Sequence, residues 1–389
     1  MASVINTNIT QYPPNNLQIF EPRSHRLLTM KEAIIHPDLH VTIEDADIPR
    51  PQPDEVIIKI VIAGTNPIDW KGADEANARA LHGDLDNHPH KNAGKDMAGY
   101  VHSIGTKVFD FKPGDRVVAL NHSSGFAEYG VGPAHTTAHI PDGISFEEAA
   151  TTGLAYITAA LGLYRNLRLP EPWNPATEDT PLVIYGASSA VGAFAVKLAV
   201  LSNIHPIIAI AGGSGNTVAS VLRADKGDIL LDYRTGKDAL VQSIRKTAPN
   251  LKYVFDAISN DETVDILTSV LAPKGSIYAS SLPGDQLKKI PSGVKVEIAF
   301  SPGLFEPYDP SGPDGPKSPN VAPRAFSHAF YGYLTFAWSE GLITGHPYKV
   351  LPNGLGSLEE GVKGLRDGTN HGLKYLYEIA ATPGVSGRN

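Results

Sequence analysis

The sequence predicts an α/β protein in two parts, a mostly-β part followed by a doubly wound parallel sheet. From residue 28 to about 140, short runs of β-branched residues are broken by Gly and Pro, as is typical of short strands and turns. From residue 180 onward, apolar runs alternate with amphipathic ones. Such alternation indicates parallel strands with helices on both faces of the sheet. A Gly-rich turn after the first of these strands indicates a nucleotide-binding architecture.

Each element follows from its own run of residues. In the first part, EVIIKIVIAG (55–64) and GDRVVAL (114–120) are strands, and residues 146–164 are helical because small and apolar residues recur at three and four. In the second part, helical runs begin at residues 236 and 261, and a single helical stretch precedes a closing strand in 325–389. The strand runs of the second part are 180–187, 205–212, 228–234, 251–258 and 275–282.

Composition and charge narrow the possible functions. The chain has 389 residues, enough for two domains, and a net charge of −8 at pH 7. That charge argues against nucleic-acid binding, which relies on clustered Lys and Arg. The absence of cysteine excludes disulfides and thiolate zinc sites. Residues 1–27 read as a loose polar arm without a signal-peptide pattern, and no long apolar run suggests a membrane span, so we expect a cytoplasmic protein.

The strand–turn–helix run VIYGASSAVGAFAVKLA (183–199) predicts a dinucleotide site. Gly186 lets the chain turn, and Gly192 lets the helix pack closely on the sheet. The free N–H groups at the start of the helix then face a diphosphate. The G-x-x-x-x-x-G spacing is looser than G-x-G-x-x-G, so an ordinary strand–helix turn is the alternative.

The next strand favours NADP(H) over NAD(H). In NAD binders an acidic residue about 20 positions further on accepts hydrogen bonds from the ribose hydroxyls. Here the strand ends in AIAGGSGNTVAS (209–220), which contains no Asp or Glu. A 2′-phosphate would meet no carboxylate in this loop, and Gly213, Ser214 and Asn216 offer donors, although the loop has no Arg or Lys.

Four motifs in order carry a resemblance to a known family: GTNPIDWKG (64–72), AGKDMAGYVHSIG (93–105) with KPGDRV (112–117), GFAEY (125–129) and VIYGASSAVG (183–192). The chain resembles the medium-chain dehydrogenase/reductase superfamily, and within it the zinc-free quinone oxidoreductase and enoyl reductase branch. It is most similar there to ToxD-like trans-acting enoyl reductases of polyketide biosynthesis. The resemblance implies a GroES-like mostly-β catalytic domain and a Rossmann NADP-binding domain. Their expected limits are 28–160 with 324–389 for the first and 161–323 for the second, after the arm 1–27.

The resemblance also bears on the reaction. Zinc-dependent relatives polarise an alcohol oxygen with a metal, whereas Asn66 stands here about where a zinc-binding Cys would be and Lys95 replaces a His. We therefore expect no metal site and a reaction that hydride transfer and hydrogen bonds can carry. Reduction of a carbon–carbon double bond conjugated to a carbonyl fits, because hydrogen-bond donors can hold the enolate oxygen. Asp96 is a candidate acid–base residue or a structural carboxylate at a turn.

The resemblance implies two catalytic residues, Lys71 and Thr158. Lys71 would hold the nicotinamide ribose or the substrate carbonyl, although a solvated lysine at a strand end is the alternative. The residues that it implies for cofactor binding are Ile68, Asp69, Trp70 and Lys71, Ser188, Ser189, Ala190 and Val191 at the diphosphate, Gly213, Ser214, Gly215 and Asn216 at the 2′-phosphate, Tyr233 at the adenosine, Leu282, and the C-terminal pair His371 and Gly372.

Three other segments leave alternatives open. LHGDLDNHPHK (81–91) reads as a surface loop or, less simply, a metal site, and the Pro-rich 303–323 reads as an exposed connection or a gate. The aromatic helix at 325–338 suits the core or an acyl tunnel.

The resemblance leaves the substrate open. The expected substrate is a small or carrier-bound acyl group, with a polyketide synthase as partner, or else a diffusible quinone or enone. A non-redox step such as cyclisation is the third hypothesis, and the chain is expected to be a monomer or homodimer.

Overall fold

The computed structural model describes residues 29–73, 92–299, 301–305 and 323–385. The expected arm at 1–27, the His-rich run 81–91 and most of the Pro-rich segment 303–323 therefore lie outside the described residues. Of the helices in the described ranges, none combines the length and the apolar character needed to cross a bilayer.

The first part of the chain is mostly β, as predicted. Its first two strands form an antiparallel hairpin, and the strands that follow belong to a separate, larger sheet. The elements are β1 (Thr29–Ile35), β2 (Val41–Asp47), β3 (Glu55–Gly64), α1 (Pro67–Ala73), β4 (Asp96–Ile104), β5 (Arg116–Leu120), β6 (Tyr129–Pro133), β7 (Thr137–His139), α2 (Phe146–Ala150) and α3 (Gly153–Ala160). The expected helix 146–164 is thus divided at residues 151–152.

The second part is a parallel sheet of six described strands. Its elements are β8 (Leu182–Tyr185), α4 (Ala190–Leu201), β9 (Ile207–Ala211), α5 (Asn216–Ala219), β10 (Ile229–Asp232), α6 (Lys237–Thr247), β11 (Tyr253–Asp256), α7 (Asp261–Val270), β12 (Ser276–Ser280) and β13 (Val294–Ile298). The strand order is β10-β9-β8-β11-β12-β13, with every pair parallel. The chain reverses direction across the sheet between β8 and β11, the topological switch point where such sheets bind ligands. The doubly wound sheet is confirmed, and β13 adds a strand that was not predicted.

The C-terminal part of the chain returns to the first sheet. It contains α8 (Pro323–Ser339), β14 (Tyr348–Leu351), α9 (Leu358–Arg366) and β15 (Lys374–Glu378). β15 pairs antiparallel with β3, and the larger sheet runs β14-β15-β3-β4-β5-β7 with β6 also on β3. The prediction of one helix and one strand here was incomplete. β14 has only four residues, and two glycines interrupt the apolar pattern of α9.

Aromatic residues join the two parts. Tyr156 on α3 meets Phe194 on α4 edge to face, with ring centroids 6.0 Å apart. From α8, Tyr331 is fully buried and its hydroxyl donates to the Gly153 carbonyl at 3.1 Å. Trp338 is buried as well, so the aromatic helix contributes these two rings to the core. The precise domain limits remain a prediction.

The start of the short helix α1 is stabilised by a buried carboxylate, that of Asp69. Pro67 occupies the first helical position, where its missing N–H costs nothing. Asp69 reaches back to accept the Asn66 N–H at 2.7 Å, and its other oxygen lies 3.3 Å from the Lys95 ammonium. Asp69 is completely buried, and this burial raises its pKa to about 6 despite the nearby Lys95.

The β8–α4 turn depends on two glycines. Gly186 has φ of +75°, a left-handed conformation that Gly adopts without strain. Gly192 packs so closely that a Cβ there would lie 2.1 Å from the Gly186 carbonyl oxygen. The helix start is therefore held against the end of β8 at a distance that only Gly permits.

Replacing Gly192 with Ala should displace the start of α4. We expect Gly192→Ala to lower the free energy of unfolding by about 1–3 kcal/mol, as overpacking typically does. Denaturant titration checks this, with Gly332→Ala as control. Gly332 lies in α8 with nothing within 4 Å of its Cβ position, so that variant should gain about 0.5–1 kcal/mol. Equal stability of Gly192→Ala and the wild type would contradict the close approach.

The raised pKa of Asp69 predicts a pH-dependent stability. A carboxyl with a folded pKa near 6 and an ordinary value of 3.8 favours the folded state less as pH rises between those values. The wild type should therefore lose up to about 3 kcal/mol relative to Asp69→Asn between pH 4 and 6, and no more above that. Urea unfolding of both proteins from pH 3.5 to 8 measures the difference, with the lowest pH as internal reference. A difference independent of pH would contradict the raised pKa.

Candidate cofactor and substrate cleft

A cavity of about 800 Å³ lies at the carboxyl ends of β8, β9 and β11, at the switch point of the parallel sheet. The first sheet contributes a wall through Thr65, Asn66 and Lys374. The start of α4 and the segment 368–374 close two further sides. The cleft is thus built from both parts of the chain, and its volume is within the range of small-molecule and cofactor sites.

The start of α4 offers the donors that a diphosphate needs. Ser189 is the N-cap, and its hydroxyl accepts the Gly192 N–H at 3.1 Å. Ala190 and Val191 follow in the first turn, where N–H groups have no acceptor within the helix. A diphosphate fits this arrangement because it accepts such hydrogen bonds and is favoured by the helix dipole.

The loop after β9 and the loop after β10 meet at the edge of the cleft. The ring of half-exposed Tyr233 would lie 2.6 Å from a Cβ at Gly212, so these residues are in close contact. The same ring lies nearly parallel to Tyr185, with centroids 6.5 Å apart. Arg234 brings its Nη1 to 3.6 Å from the Cβ position of Gly213.

Arg234 supplies a cation that the β9 loop itself lacks. Its guanidinium is held by Asp232, with Nε–Oδ1 at 2.9 Å and Nη2–Oδ2 at 2.5 Å. The same Arg234 holds the pKa of Asp232 down at about 2. The sequence predicted Tyr233, which lies between them, but gave neither Asp232 nor Arg234 a role, because their approach to the β9 loop arises only in the folded chain. β9 and β10 are adjacent and parallel, so their ends lie at the same edge.

The C-terminal segment 368–374 also contacts the loops after β8 and β9. A Cβ at Gly372, where φ is +79°, would lie 3.1 Å from Ser214 Oγ. Ser214 in turn donates to Ser188 Oγ at 2.9 Å. His371 has a φ of +49°, which is uncommon for a residue other than Gly. The sequence predicted these four residues at the cofactor site, and the structure brings Ser188, Ser214 and Gly372 together, with His371 in the wall of the same cleft.

His346 holds the segment 368–374 through the backbone of Gly372. Its Nε2 lies 2.6 Å from the Gly372 carbonyl, and burial lowers its pKa to about 4. The ring is therefore neutral near pH 7 and donates from Nε2. Nδ1 is buried, with no hydrogen-bond partner within the described ranges.

A buried polar cluster forms the wall from the first sheet. Lys374 forms an ion pair with Asp96 and donates to Asn66 Oδ1 at 3.0 Å. Asn66 Nδ2 donates to Asp96 Oδ2 at 3.0 Å, and Leu154 N–H donates to Asp96 Oδ1 at 2.7 Å. We call Asn66, Asp96 and Lys374 the buried triad. The sequence hypotheses considered Asn66 and Asp96 but not Lys374, which is the first residue of the closing strand.

The buried triad does not fit a metal. An amide, an ammonium and one carboxylate meet at Asn66, the residue that the resemblance puts near a zinc-binding Cys, and Lys374 already neutralises the carboxylate. Lys95, which stands in place of a His, turns to Asp69 instead. In the part of the chain that the structure describes, no three His, Asp or Glu residues are grouped as metal ligands would be.

Several residues predicted for the site do not line this cleft. Asp69 is completely buried, and Lys71 lies within α1 with its ammonium 5.8 Å from the Trp70 ring centroid. Burial lowers the pKa of Lys71. Thr158 is buried in α3. The predicted residues that line the cleft are Ser188, Ser189, Ala190, Gly213, Ser214, Tyr233, His371 and Gly372, whereas Ile68, Asp69, Trp70, Lys71, Thr158, Val191, Gly215, Asn216 and Leu282 are outside its walls and remain predictions.

Known proteins resemble this chain along most of its length. Residues 52–142 match the alcohol dehydrogenase GroES-like domain. Trans-enoyl reductase fsr4 of Gibberella fujikuroi is 35% identical over 346 residues, covering 87% of this chain and 95% of the relative. Trans-enoyl reductase TOXD of Cochliobolus carbonum is 31% identical over 267 residues, covering 66% and 84%. The CurK enoyl reductase structure superimposes with a TM-score of 0.67 at 20% identity, covering 90% of this chain and 98% of that one.

The sequence relatives and the architecture agree. The likeness to CurK shows the fold, a GroES-like part joined to a doubly wound parallel sheet. The identity to fsr4 extends over nearly all of that protein. This chain therefore belongs to the ToxD-like trans-enoyl reductases of the medium-chain dehydrogenase/reductase superfamily.

Proposed function

We propose that this protein is an NADPH-dependent reductase of a carbon–carbon double bond conjugated to a carbonyl, acting as a trans-enoyl reductase on acyl groups of polyketide biosynthesis. The observation that carries the proposal is one cleft that joins the open first turn of α4 to a wall bearing an ammonium and an amide. The first feature suits a dinucleotide diphosphate, and the second suits a substrate carbonyl.

Residues in different parts of the cleft would bind the cofactor and the substrate carbonyl. Ala190 and Val191 N–H groups would bind the diphosphate, and Tyr233 would cover the adenosine. When bound, a reduced nicotinamide supplies the hydride that adds to the β-carbon of the enoyl group. Donors on the first-sheet wall would hold the carbonyl oxygen as negative charge develops there. The assignments of Lys71 and Thr158 to catalysis remain separate predictions, because neither residue lines this cleft.

Arg234 is the reason for choosing NADP(H) over NAD(H). A 2′-phosphate accepts charge-assisted hydrogen bonds from a guanidinium, and Asp232 holds that group in a fixed orientation beside Gly213. Asp232 could otherwise accept the ribose hydroxyls of NAD, but it is already engaged by Arg234. The Asp232–Arg234 pair therefore acts as a phosphate clamp in this proposal.

The substrate is proposed to be an acyl thioester presented by a carrier protein of a polyketide synthase. This step rests on the family, because the relatives are named trans-enoyl reductases. A free-standing quinone or enone reductase would have the same cofactor and cleft. A monomer or homodimer serves either substrate.

An assay with short enoyl thioesters tests the reaction. We expect the purified protein to oxidise NADPH when given 2-enoyl N-acetylcysteamine thioesters, seen as loss of absorbance at 340 nm with the saturated thioester as product. The control compares thioesters with diffusible enones and quinones, and faster turnover of the diffusible compounds would favour the alternative. Failure to bind both NADPH and NADH by fluorescence titration would contradict any nicotinamide-dependent reductase.

A pair of arginine variants tests the choice of cofactor. Arg234→Gln should weaken NADPH binding about tenfold and leave NADH binding unchanged, because it removes a charge-assisted bond to the 2′-phosphate. Arg223→Gln is the matched control, since Arg223 makes the same kind of pair with Asp225 away from the cleft. Calorimetric titration of both variants with both nucleotides gives the affinities. Equal loss in the two variants, or equal loss for both nucleotides, would argue against the clamp.

A further inference from the structure

The buried triad is an unusual structure for the wall of a substrate cleft. Asp96 is completely buried and the Lys374 side chain is 3% exposed, yet Lys374 and Asn66 line the cavity. Removing two charges from water is costly, and a pair of apolar residues would often serve stability as well or better. A buried ion pair at such a place calls for a reason beyond holding the fold together.

The triad is assembled from distant parts of the chain around one carboxylate. Asn66 follows β3, Asp96 begins β4 and Lys374 begins β15, and each contributes to the same cluster. Asp96 also accepts the Leu154 N–H at the start of α3. Gly153 leaves room for this contact, because a Cβ there would lie 2.1 Å from Asp96 Oδ1. The Lys374 ammonium is therefore held in place by Asn66 and by an Asp96 carboxylate that is itself fixed by Leu154.

The ammonium retains a donor for a ligand. A lysine ammonium has three N–H groups, and the described residues provide two side chains that accept from it, Asp96 and Asn66. Lys374 is one of the residues that line the cleft, so the remaining N–H would be available to a group inside it. A fixed donor in a water-poor site stabilises developing negative charge more than water does, since it need not reorient.

We propose that the Lys374 ammonium donates to the carbonyl oxygen of the acyl substrate and stabilises the enolate, serving in place of a Lewis-acid metal. This inference rests on the proposed function. The double bond gives its π pair to the α-carbon and the carbonyl oxygen as the β-carbon accepts hydride from the reduced nicotinamide. A proton from solvent then completes the α-carbon, so Lys374 keeps its own protons throughout. Asp96 and Asn66 are positioning residues that aim the ammonium.

Kinetics of Lys374→Met test the role. This variant keeps most of the side-chain volume and removes the donor, so kcat for an enoyl thioester should fall about 100-fold, the loss typical of one oxyanion donor. NADPH affinity should stay within about twofold, because the diphosphate and 2′-phosphate sites are on the other sheet. Lys374→Arg should recover part of kcat. A kcat of Lys374→Met within about fivefold of the wild type would overturn the proposal.

A double variant separates this role from stability. Lys374→Met leaves Asp96 buried and unpaired, which is destabilising, whereas Asp96→Asn with Lys374→Met removes both charges. We expect the double variant to recover thermal stability and not kcat. Recovery of kcat together with stability would mean that Lys374 only balances Asp96, and would overturn the proposal. The double variant also keeps the test valid if Lys374→Met alone does not fold.

A binding measurement separates this inference from the proposed reduction. Crotonate carries a negative oxygen where the enolate would have one, and its binding to the protein with NADP⁺ needs no turnover. We expect Lys374→Met to bind crotonate at least about tenfold more weakly than the wild type by calorimetry. A wild type without reductase activity whose crotonate binding still depends on Lys374 would overturn the reduction and support the anion-holding role. Equal crotonate binding in an active wild type and in Lys374→Met would overturn the role of Lys374 alone.

Discussion

The ion pair between Asp96 and Lys374 is the contact on which the cleft depends. It joins β4 to β15, its Asp96 accepts the Leu154 N–H in the first turn of α3, and Asn66 hydrogen-bonds to both of its charged groups. Loss of either charge would leave the other buried without an opposite charge, which is costly. The geometry of the substrate wall and the junction of the C-terminal strand with the first sheet are therefore set by the same interaction.

The cofactor side follows a different principle. There the backbone forms most of the wall. Gly192 allows the start of α4 to lie close to the sheet, and Gly186 adopts a left-handed conformation in the turn. Side chains enter at the periphery, where Tyr233 and Arg234 approach the β9 loop. The cleft thus combines backbone donors at the start of α4 with polar side chains from the first sheet.

Local patterns were enough to predict much of the fold. Apolar strands alternating with helices specify a parallel sheet, and the limits of β3 match the predicted strand 55–64. The predictions were weaker where local patterns are short, as at β13, β14 and α9. Residues near a sequence motif, such as Ser188 and Gly213, were predicted and line the cleft, whereas His346 and Lys374, which the C-terminal part of the chain contributes, line it and were not predicted.

The sequence by itself determined the doubly wound sheet, the dinucleotide turn and the absence of thiolate ligands, because each depends on neighbouring residues or on composition. Only the tertiary structure decided that Lys374 lies beside Asn66 and Asp96. Lys374 is 308 residues from Asn66, and nothing local to either residue signals that they meet. Pairing of β15 with β3 brings them together, and it places the Lys374 ammonium in a buried ion pair beside the cleft.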